Sequence, residues 1–174
     1  MKKWYCLLLL IGLVWSGPAS AVYWDYFEDF DTTTNPSGPW TYGMQDPNDP
    51  NGVIVYDHGY SRAPDLTYWV DSKILDTTSA DVPCAACNNH ASATYNGLLP
   101  QHAGLHPGWN SVKSMVRWTA PQAGDFYVYG SFGAGDGGTV GCFINVNGSP
   151  VVSEANTALA VPFDFTVTVA VGDK

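Results

Sequence analysis

The sequence predicts an all-β protein, an antiparallel β-sandwich with jelly-roll architecture. In several short segments apolar residues alternate with polar ones, which is the two-residue period of a strand that buries one face. Gly, Pro and Asn stand between these segments, where they favour turns. The 3.6-residue period of an amphipathic helix is not sustained over any helix-sized segment. Short antiparallel strands at this spacing are typical of sandwiches and jelly rolls.

The first 21 residues have the three parts of a secretory signal peptide. Two lysines precede an apolar run from Trp4 to Trp15, which is too short for a stable membrane anchor. Ala19-Ser20-Ala21 follows as a cleavage site of small residues. We therefore expect residues 1–21 to be removed and residues 22–174 to form a single β-sandwich domain. The predicted location is secreted, extracellular or at the cell surface, with no membrane span after cleavage.

In the first half of the chain, strands are predicted at Gly52–Tyr56 and Leu66–Val70 from their apolar and aromatic content. Between Asp76 and Gly108 the alternation is lost. A segment of that length without secondary structure is uncommon in a compact domain. We expect this segment to be functional, to be held by a covalent cross-link, or to have secondary structure that its pattern does not reveal.

The second half of the chain shows clearer alternation. A Pro- and Gly-containing turn at residues 120–124 separates two alternating segments, and Asn147-Gly148 supplies the two positive-φ positions of a tight hairpin. The last segment alternates Phe and Val with Asp and Thr, as expected for a half-buried strand. The predicted strands are Val112–Thr119, Phe126–Phe132, Val140–Val146, Ser149–Ser153 and Phe163–Val171.

Acidic residues outnumber basic ones by 16 to 7, and the formal net charge is −9. Such a chain repels nucleic acid and anionic membranes, and it lacks the basic stripe of a nucleic-acid-binding protein. The charge therefore argues against a nucleic-acid partner. Most of the acids are Asp next to Gly, Pro or Asn, where the carboxylate stabilises turns.

Four motifs occur in one order along the chain: NPSGPWTYG at Asn35–Gly43, LHPG at Leu105–Gly108, VRWTAPQAGDF at Val116–Phe126, and VGD at Val171–Asp173. This order resembles the jelly-roll domain of secreted bacterial proteins that often carry a C-terminal PEP-CTERM surface-sorting tag. The resemblance implies a β-sandwich similar to carbohydrate-binding modules, and it brings no catalytic residues. Relatives tend to continue with another strand after the last motif, so the resemblance leaves open a domain truncated at its C terminus.

Aromatic residues are the feature that most suggests a ligand. Sugar rings have apolar C–H faces that stack on flat aromatic side chains, while Asp, Asn and Gln bind the hydroxyl groups. Some of these aromatics lie in Pro- and Gly-rich segments, and others share the outward face of a predicted strand with a nearby arginine. For each, the alternative is core packing or cross-strand pairing. The candidate ligand contacts are Trp40, Tyr42, Trp109, Arg117, Tyr127 and Tyr129.

The sharpest local motif is Cys84-Ala85-Ala86-Cys87 with His90 close behind. Thiolates and imidazoles are zinc ligands, which makes Cys84, Cys87 and His90 candidates for a metal site. An exported chain meets an oxidising compartment, however, where two cysteines more often form a disulfide. We expect a disulfide between Cys84 and Cys87, or between one of them and Cys142, with reduced thiols as the remaining alternative.

Two acidic segments suggest further chemistry. The cluster of acids at residues 25–31 could supply the carboxylate pair of a glycosidase, although acids near a chain end are usually solvated. Residues 46–52, DPNDPNG, superficially look like a calcium loop, but two prolines and the lack of a trailing Glu depart from the EF-hand pattern. We expect no cofactor, with a structural Ca²⁺ between loops as the alternative.

The sequence therefore predicts a secreted, non-catalytic binding or surface-associated module whose partner is an extracellular polysaccharide or a cell-surface glycan. Two other functions remain open. The first is a structural component of the extracellular matrix or envelope, in which the aromatics would be buried. The second is a small secreted glycan hydrolase, which needs two carboxylates about 5 to 10 Å apart in a cleft.

Overall fold

The computed structural model describes residues 6–15, 22–74, 82–108, 112–133 and 139–174. These residues form twelve β-strands and one 3₁₀ turn at Ser72–Ile74, which confirms the all-β prediction. In these ranges, no helix is long and apolar enough to cross a membrane. The strands are β1 (Cys6–Trp15), β2 (Trp40–Asp46), β3 (Asp49–Val55), β4 (His58–Ala63), β5 (Leu66–Val70), β6 (Cys84–Asn88), β7 (His102–His106), β8 (Ser114–Trp118), β9 (Gly124–Gly133), β10 (Val140–Val146), β11 (Ser149–Thr157) and β12 (Val161–Val169).

The strands pair antiparallel in three sheets. The large sheet has seven strands in the order β12-β9-β1-β7-β6-β5-β4, and the smaller sheets are β3-β2-β8 and β10-β11. One buried cluster takes residues from all three, including Tyr42 of β2, Phe126 of β9 and Cys142 of β10. The two smaller sheets therefore pack on one face of the large sheet as the second layer of a sandwich. The jelly-roll connectivity stays a prediction.

The strands on either side of the Pro121 turn lie in different layers. β8 pairs with β2, whereas β9 pairs with β1 and β12. Trp118 and Phe126, one from each strand, meet in the core with their ring centroids 5.1 Å apart. The segment therefore crosses the sandwich and does not form a hairpin. Alternation alone cannot separate these two arrangements, because both have a period of two.

β1 consists of apolar residues that the sequence assigns to the signal peptide. It lies between β7 and β9 and is antiparallel to both, with Leu7 opposite Gly104 on one side and Gly133 on the other. A nearly continuous apolar run is typical of a central strand as well as of a leader, so composition does not distinguish them. Cleavage after Ala21 stays a prediction.

The segment between Asp76 and Gly108, in which the sequence shows no alternation, contains β6 and β7. Asn88 holds the loop between these two strands. This side chain is 0% exposed. Its Nδ2 donates to the carbonyl oxygens of Ala93, Leu98 and Leu99 at 2.8, 3.0 and 3.0 Å, and its Oδ1 accepts from the His90 N–H at 3.0 Å. One buried amide thus fixes the loop after β6, because it donates to three carbonyl groups of that loop and accepts one of its N–H groups.

Candidate functional site

The outward face of β9 carries a pair of stacked tyrosines. Tyr127 and Tyr129 are two residues apart on one strand, so their side chains lie on the same face. Their ring centroids are 5.4 Å apart, and the ring planes differ by 24°. Tyr127 is 39% exposed and Tyr129 is half-buried. The strand thus presents aromatic surface to solvent.

The neighbouring strand β12 places carboxylates and hydroxyls beside this pair. Asp164 lies opposite Tyr129, and Thr168 lies opposite Asp125. Thr168 Oγ1 donates to Asp125 Oδ1 at 2.5 Å. A hydrogen bond to the Asp164 carboxylate raises the pKa of the Tyr127 hydroxyl, because the bond stabilises the protonated phenol. The rings are therefore flanked by polar groups that can bind sugar hydroxyls.

Tyr23 extends the aromatic surface from the segment before β2, and sequence patterning did not single it out. It is 43% exposed, and its hydroxyl donates to Asp25. Partial burial and the Asp25 carboxylate raise the pKa of this hydroxyl, which is also hydrogen-bonded to Tyr129. The only sequence signal was an aromatic residue two positions before an acid. We call the following set the tyrosine surface: Tyr23, Asp125, Tyr127, Tyr129, Asp164, Thr166 and Thr168.

Trp40 and Tyr42 are core residues, which corrects the expectation that they contact a ligand. Their exposed fractions are 1% and 0%. Trp40 Nε1 donates to Asp29 Oδ2 at 3.0 Å. Asn35 Nδ2 donates to the Tyr42 carbonyl oxygen at 2.7 Å, and the Tyr42 N–H donates to Asn35 Oδ1 at 3.0 Å. The Pro- and Gly-rich segment can therefore be buried, because Asp29 and Asn35 satisfy its polar groups.

The remaining candidates do not join the tyrosine surface. Arg117 is half-buried on β8, in the opposite layer of the sandwich. Burial lowers the pKa of its guanidinium, and the charge of Asp49 opposes that shift. Trp109 lies outside the described residues. Of the six predicted contacts, the structure thus brings together Tyr127 and Tyr129.

The predicted disulfide is wrong for this structure, in which Cys84, Cys87 and Cys142 are buried thiols. Cys84 and Cys87 stand three positions apart on β6, so their side chains lie on opposite faces of the sheet. A direct bond between them would need the strand to be broken. Burial, followed by the charges of Glu28 and Asp25, raises the pKa of the Cys87 thiol to about 12.

His90 and Asp46, from the two candidate cation sites, are hydrogen-bonded to backbone N–H groups. His90 Nδ1 accepts from the N–H groups of Ser92 and Ala93 at 3.0 and 2.7 Å. Asp46, in the loop that resembled a calcium site, accepts the Asn48 N–H at 2.8 Å within the β2–β3 turn. Among the residues that the structure describes, no three His, Cys, Asp or Glu side chains are grouped to hold a metal ion.

The acids near the predicted mature N terminus also hold local structure. Asp25 is 1% exposed, and its Oδ1 accepts the N–H groups of Phe27 and Glu28 at 2.7 and 3.2 Å. Asp29 accepts the Asp25 N–H at 3.0 Å in addition to the indole of Trp40. These contacts favour a structural role for both carboxylates over that of a glycosidase pair.

Comparison with protein-family models, with curated proteins and with solved structures gives no match. The function is therefore inferred from the side chains of this chain alone.

We expect Cys84, Cys87 and Cys142 of the native protein to be nearly inert to Ellman's reagent. They are 1%, 1% and 3% exposed, and only a thiolate reacts readily. In denaturant all thiols should react, and Cys6 would add a fourth to Cys84, Cys87 and Cys142 if the leader is retained. A Ser153→Cys variant, with its thiol on the exposed side of β11, is the positive control. Rapid labelling of the native parent chain would contradict the prediction.

Proposed function

We propose that the protein is a secreted, non-catalytic module that binds extracellular or cell-surface polysaccharide through the tyrosine surface. The observation that carries this proposal is the stacked, solvent-facing pair Tyr127 and Tyr129 with carboxylates and hydroxyls beside it. Aromatic rings supply flat apolar area at low entropic cost, and the polar groups fix the orientation of the sugar. An open sheet face suits a long, flat polymer better than a small enclosed molecule.

The charge of the surface favours a neutral or cationic polysaccharide. Asp125 and Asp164 are both exposed on it, and the whole chain carries a formal charge of −9. An anionic polymer would be repelled, most strongly at low ionic strength. Polymers of glucose, xylose or glucosamine fit this requirement, whereas sulfated or uronic-acid polymers do not.

The same geometry supports binding over hydrolysis. A glycosidase needs one carboxyl group kept protonated near neutral pH, which usually requires an apolar, enclosed position. Asp125 and Asp164 are exposed on an open face and accept hydrogen bonds from Thr168 and Tyr127. They are placed to contact hydroxyl groups.

We expect Tyr127→Ala and Tyr129→Ala each to weaken polysaccharide binding by about 3- to 10-fold, since one ring contact contributes about 0.7–1.4 kcal/mol. The measurement is retention on insoluble cellulose, xylan and chitin, with and without EDTA. Loss of binding in EDTA would show that a bound cation takes part in polysaccharide binding. Binding unaffected by EDTA would indicate that ring stacking is the main contribution.

Phe143→Ala is the matched control for these variants. Phe143 is an aromatic residue of β10 with an exposed fraction of 42%, close to that of Tyr127, but it lies in the opposite layer. Its removal should leave retention unchanged. If the parent chain is not retained on any of the polymers, or if all three variants bind as the parent does, the proposal is wrong.

A further inference from the structure

The side chains of Tyr23 and Tyr129 meet at the surface, although they come from distant parts of the chain. Tyr129 lies on the outward face of β9, and Tyr23 lies in the segment before β2. A hydrogen bond joins the Tyr23 hydroxyl to the Tyr129 side chain. Folding therefore places two phenol groups next to each other, with contact at their hydroxyl ends.

Contact at the hydroxyl ends is the geometry in which oxidised tyrosines couple. Loss of one electron and one proton converts a phenol to a phenoxyl radical, whose unpaired electron is shared between the oxygen and the ring carbons ortho and para to it. The para carbon carries the rest of the amino acid, so two such radicals join through ortho carbons. The product, dityrosine, has its two hydroxyls side by side. Two phenols that already touch there are pre-placed for this reaction.

A carboxylate next to Tyr23 favours its oxidation. The Tyr23 hydroxyl donates to Asp25 Oδ2 at 2.5 Å. The phenol must give up its proton as it gives up an electron, and a base within hydrogen-bond distance takes that proton directly. Asp25 is held in position, because its other oxygen, Oδ1, accepts the N–H groups of Phe27 and Glu28. Tyr23 thus has a fixed proton acceptor.

Both phenols can lose an electron to an oxidant in solution, and one of them can turn. Tyr23 is 43% exposed and Tyr129 is half-buried. An exposed side chain changes rotamer quickly, so Tyr23 can bring its ring edge to that of Tyr129 after oxidation. Tyr60 and Tyr68 are a contrasting pair at the other end of the large sheet. Their centroids are 5.3 Å apart, but Tyr68 is only 3% exposed.

Tyr127 is the other neighbour of Tyr129, but its ring is placed for stacking. The two ring planes differ by 24°, so the rings face each other across a centroid distance of 5.4 Å. Coupling needs ring edges to meet, and an extended strand holds residues two positions apart at a fixed spacing. Tyr127 therefore covers the face of Tyr129, whereas Tyr23 contacts its hydroxyl end.

We propose that Tyr23 and Tyr129 form a dityrosine cross-link within the chain when the protein meets hydrogen peroxide and a haem peroxidase. The peroxidase takes one electron from each phenol, and the phenolic protons leave to Asp25 and to water. The two radicals form a carbon–carbon bond between their ortho carbons, and each ortho hydrogen then moves to its ring oxygen and restores the hydroxyl. The two electrons and two protons reduce hydrogen peroxide to water as its O–O bond breaks. The reaction does not depend on glycan binding.

This bond would tie the segment before β2 to the large sheet. The described cysteines are free thiols, so among the described residues no disulfide makes such a connection. A covalent link between distant positions restricts the unfolded chain, which is one way in which a disulfide stabilises a protein. We therefore expect the oxidised protein to unfold at a higher urea concentration than the untreated protein.

The test treats the native chain with hydrogen peroxide and a haem peroxidase, followed by trypsin digestion and mass spectrometry. Trypsin cleaves after Lys and Arg, so Tyr23 lies on the peptide that ends at Arg62, and Tyr129 lies on the peptide that begins at Trp118. We expect these two peptides to be joined, with the loss of two hydrogen atoms and the appearance of dityrosine fluorescence. Links within one chain should exceed links between chains by about tenfold or more, because the two phenols are already in place.

Tyr23→Phe and Tyr129→Phe keep the rings but remove the hydroxyls, and each should abolish the joined pair of peptides. Tyr60→Phe is the matched control and should leave the link unchanged. Tyr60 is on the same tryptic peptide as Tyr23 but lies on β4, at the other end of the large sheet from β9 and β12. Four results would overturn the proposal: no dityrosine, links between chains only, mass loss only within the peptide that begins at Trp118, or an unchanged link in Tyr23→Phe. The third result would instead assign the bond to Tyr127 and Tyr129.

Discussion

Replacing Trp40 by alanine is expected to lower the free energy of unfolding by about 3–5 kcal/mol, the usual cost of deleting a buried large aromatic side chain. Trp40 is 1% exposed and lies 5.9 Å from the ring of Tyr26. The change also removes the indole donor from Asp29, whose carboxylate holds the segment before β2. Urea denaturation followed by circular dichroism measures the loss.

Trp40→Phe is the matched variant, because it keeps a ring in the core and removes mainly the hydrogen bond to Asp29. We expect it to cost about 1–2 kcal/mol. Both variants should retain polysaccharide as the parent does at temperatures where they are folded, since Trp40 is not part of the tyrosine surface. A fully stable Trp40→Ala chain that no longer binds polysaccharide would instead make Trp40 a ligand contact.

Replacing Asn88 by alanine is expected to cost about 2–4 kcal/mol, because the loop loses four hydrogen bonds to a side chain that is 0% exposed. Its amide serves three of them, at Ala93, Leu98 and Leu99. The loss should be accompanied by faster hydrogen exchange in the loop between β6 and β7, since that loop has few other backbone partners. Thermal unfolding and hydrogen exchange read out the two effects separately.

Asn89→Ala is the control for Asn88, since it removes the same type of side chain from the adjacent, exposed position. It should change stability by no more than about 0.5 kcal/mol. Asn88→Asp keeps the shape but removes the amide donor and buries a charge, so it should be at least as destabilising as Asn88→Ala. Equal stability of the Asn88 and Asn89 alanine variants would contradict the role given to the buried amide.

The parts of the fold that could be predicted are those in which local sequence determines local structure. The hairpin between β10 and β11 follows from Asn147-Gly148, whose φ values of 49° and 81° match the tight turn that this dipeptide favours. β5 spans Leu66–Val70 as predicted, and β12 at Val161–Val169 lies within two residues of its prediction. β12 buries one face, so its alternation is visible in the sequence. β5 is buried on both faces and was predicted from its apolar and aromatic content.

The parts that could not be predicted depend on contacts between distant segments. All five residues of β6 are buried, and small side chains such as Ala85 and Ala86 leave no alternation to detect. The burial of Trp40 depends on Asp29, and nothing local marks an indole as having such a partner. The apolar run of β1 fits a leader and a central strand equally well.

The candidate site also has parts that could be predicted from local sequence and parts that could not. Tyr127 and Tyr129 were predictable as an outward pair because a strand places every second side chain on one face. Tyr23 joins them only through the folding of the segment before β2. The order of the strands in the second layer has no sequence signature either, because sheet order depends on contacts between distant segments.

The position of β1 determines when it can form. Its first partner, β7, lies nearly a hundred residues later in the chain, and its second partner, β9, lies more than a hundred residues later. At about 5–20 residues per second, synthesis takes roughly 5–20 s to reach β7. Throughout this interval the first strand has no sheet to join and is available as an unpaired apolar segment. If the segment is recognised and cleaved as a leader during this interval, it is no longer part of the chain when β7 and β9 can pair with it.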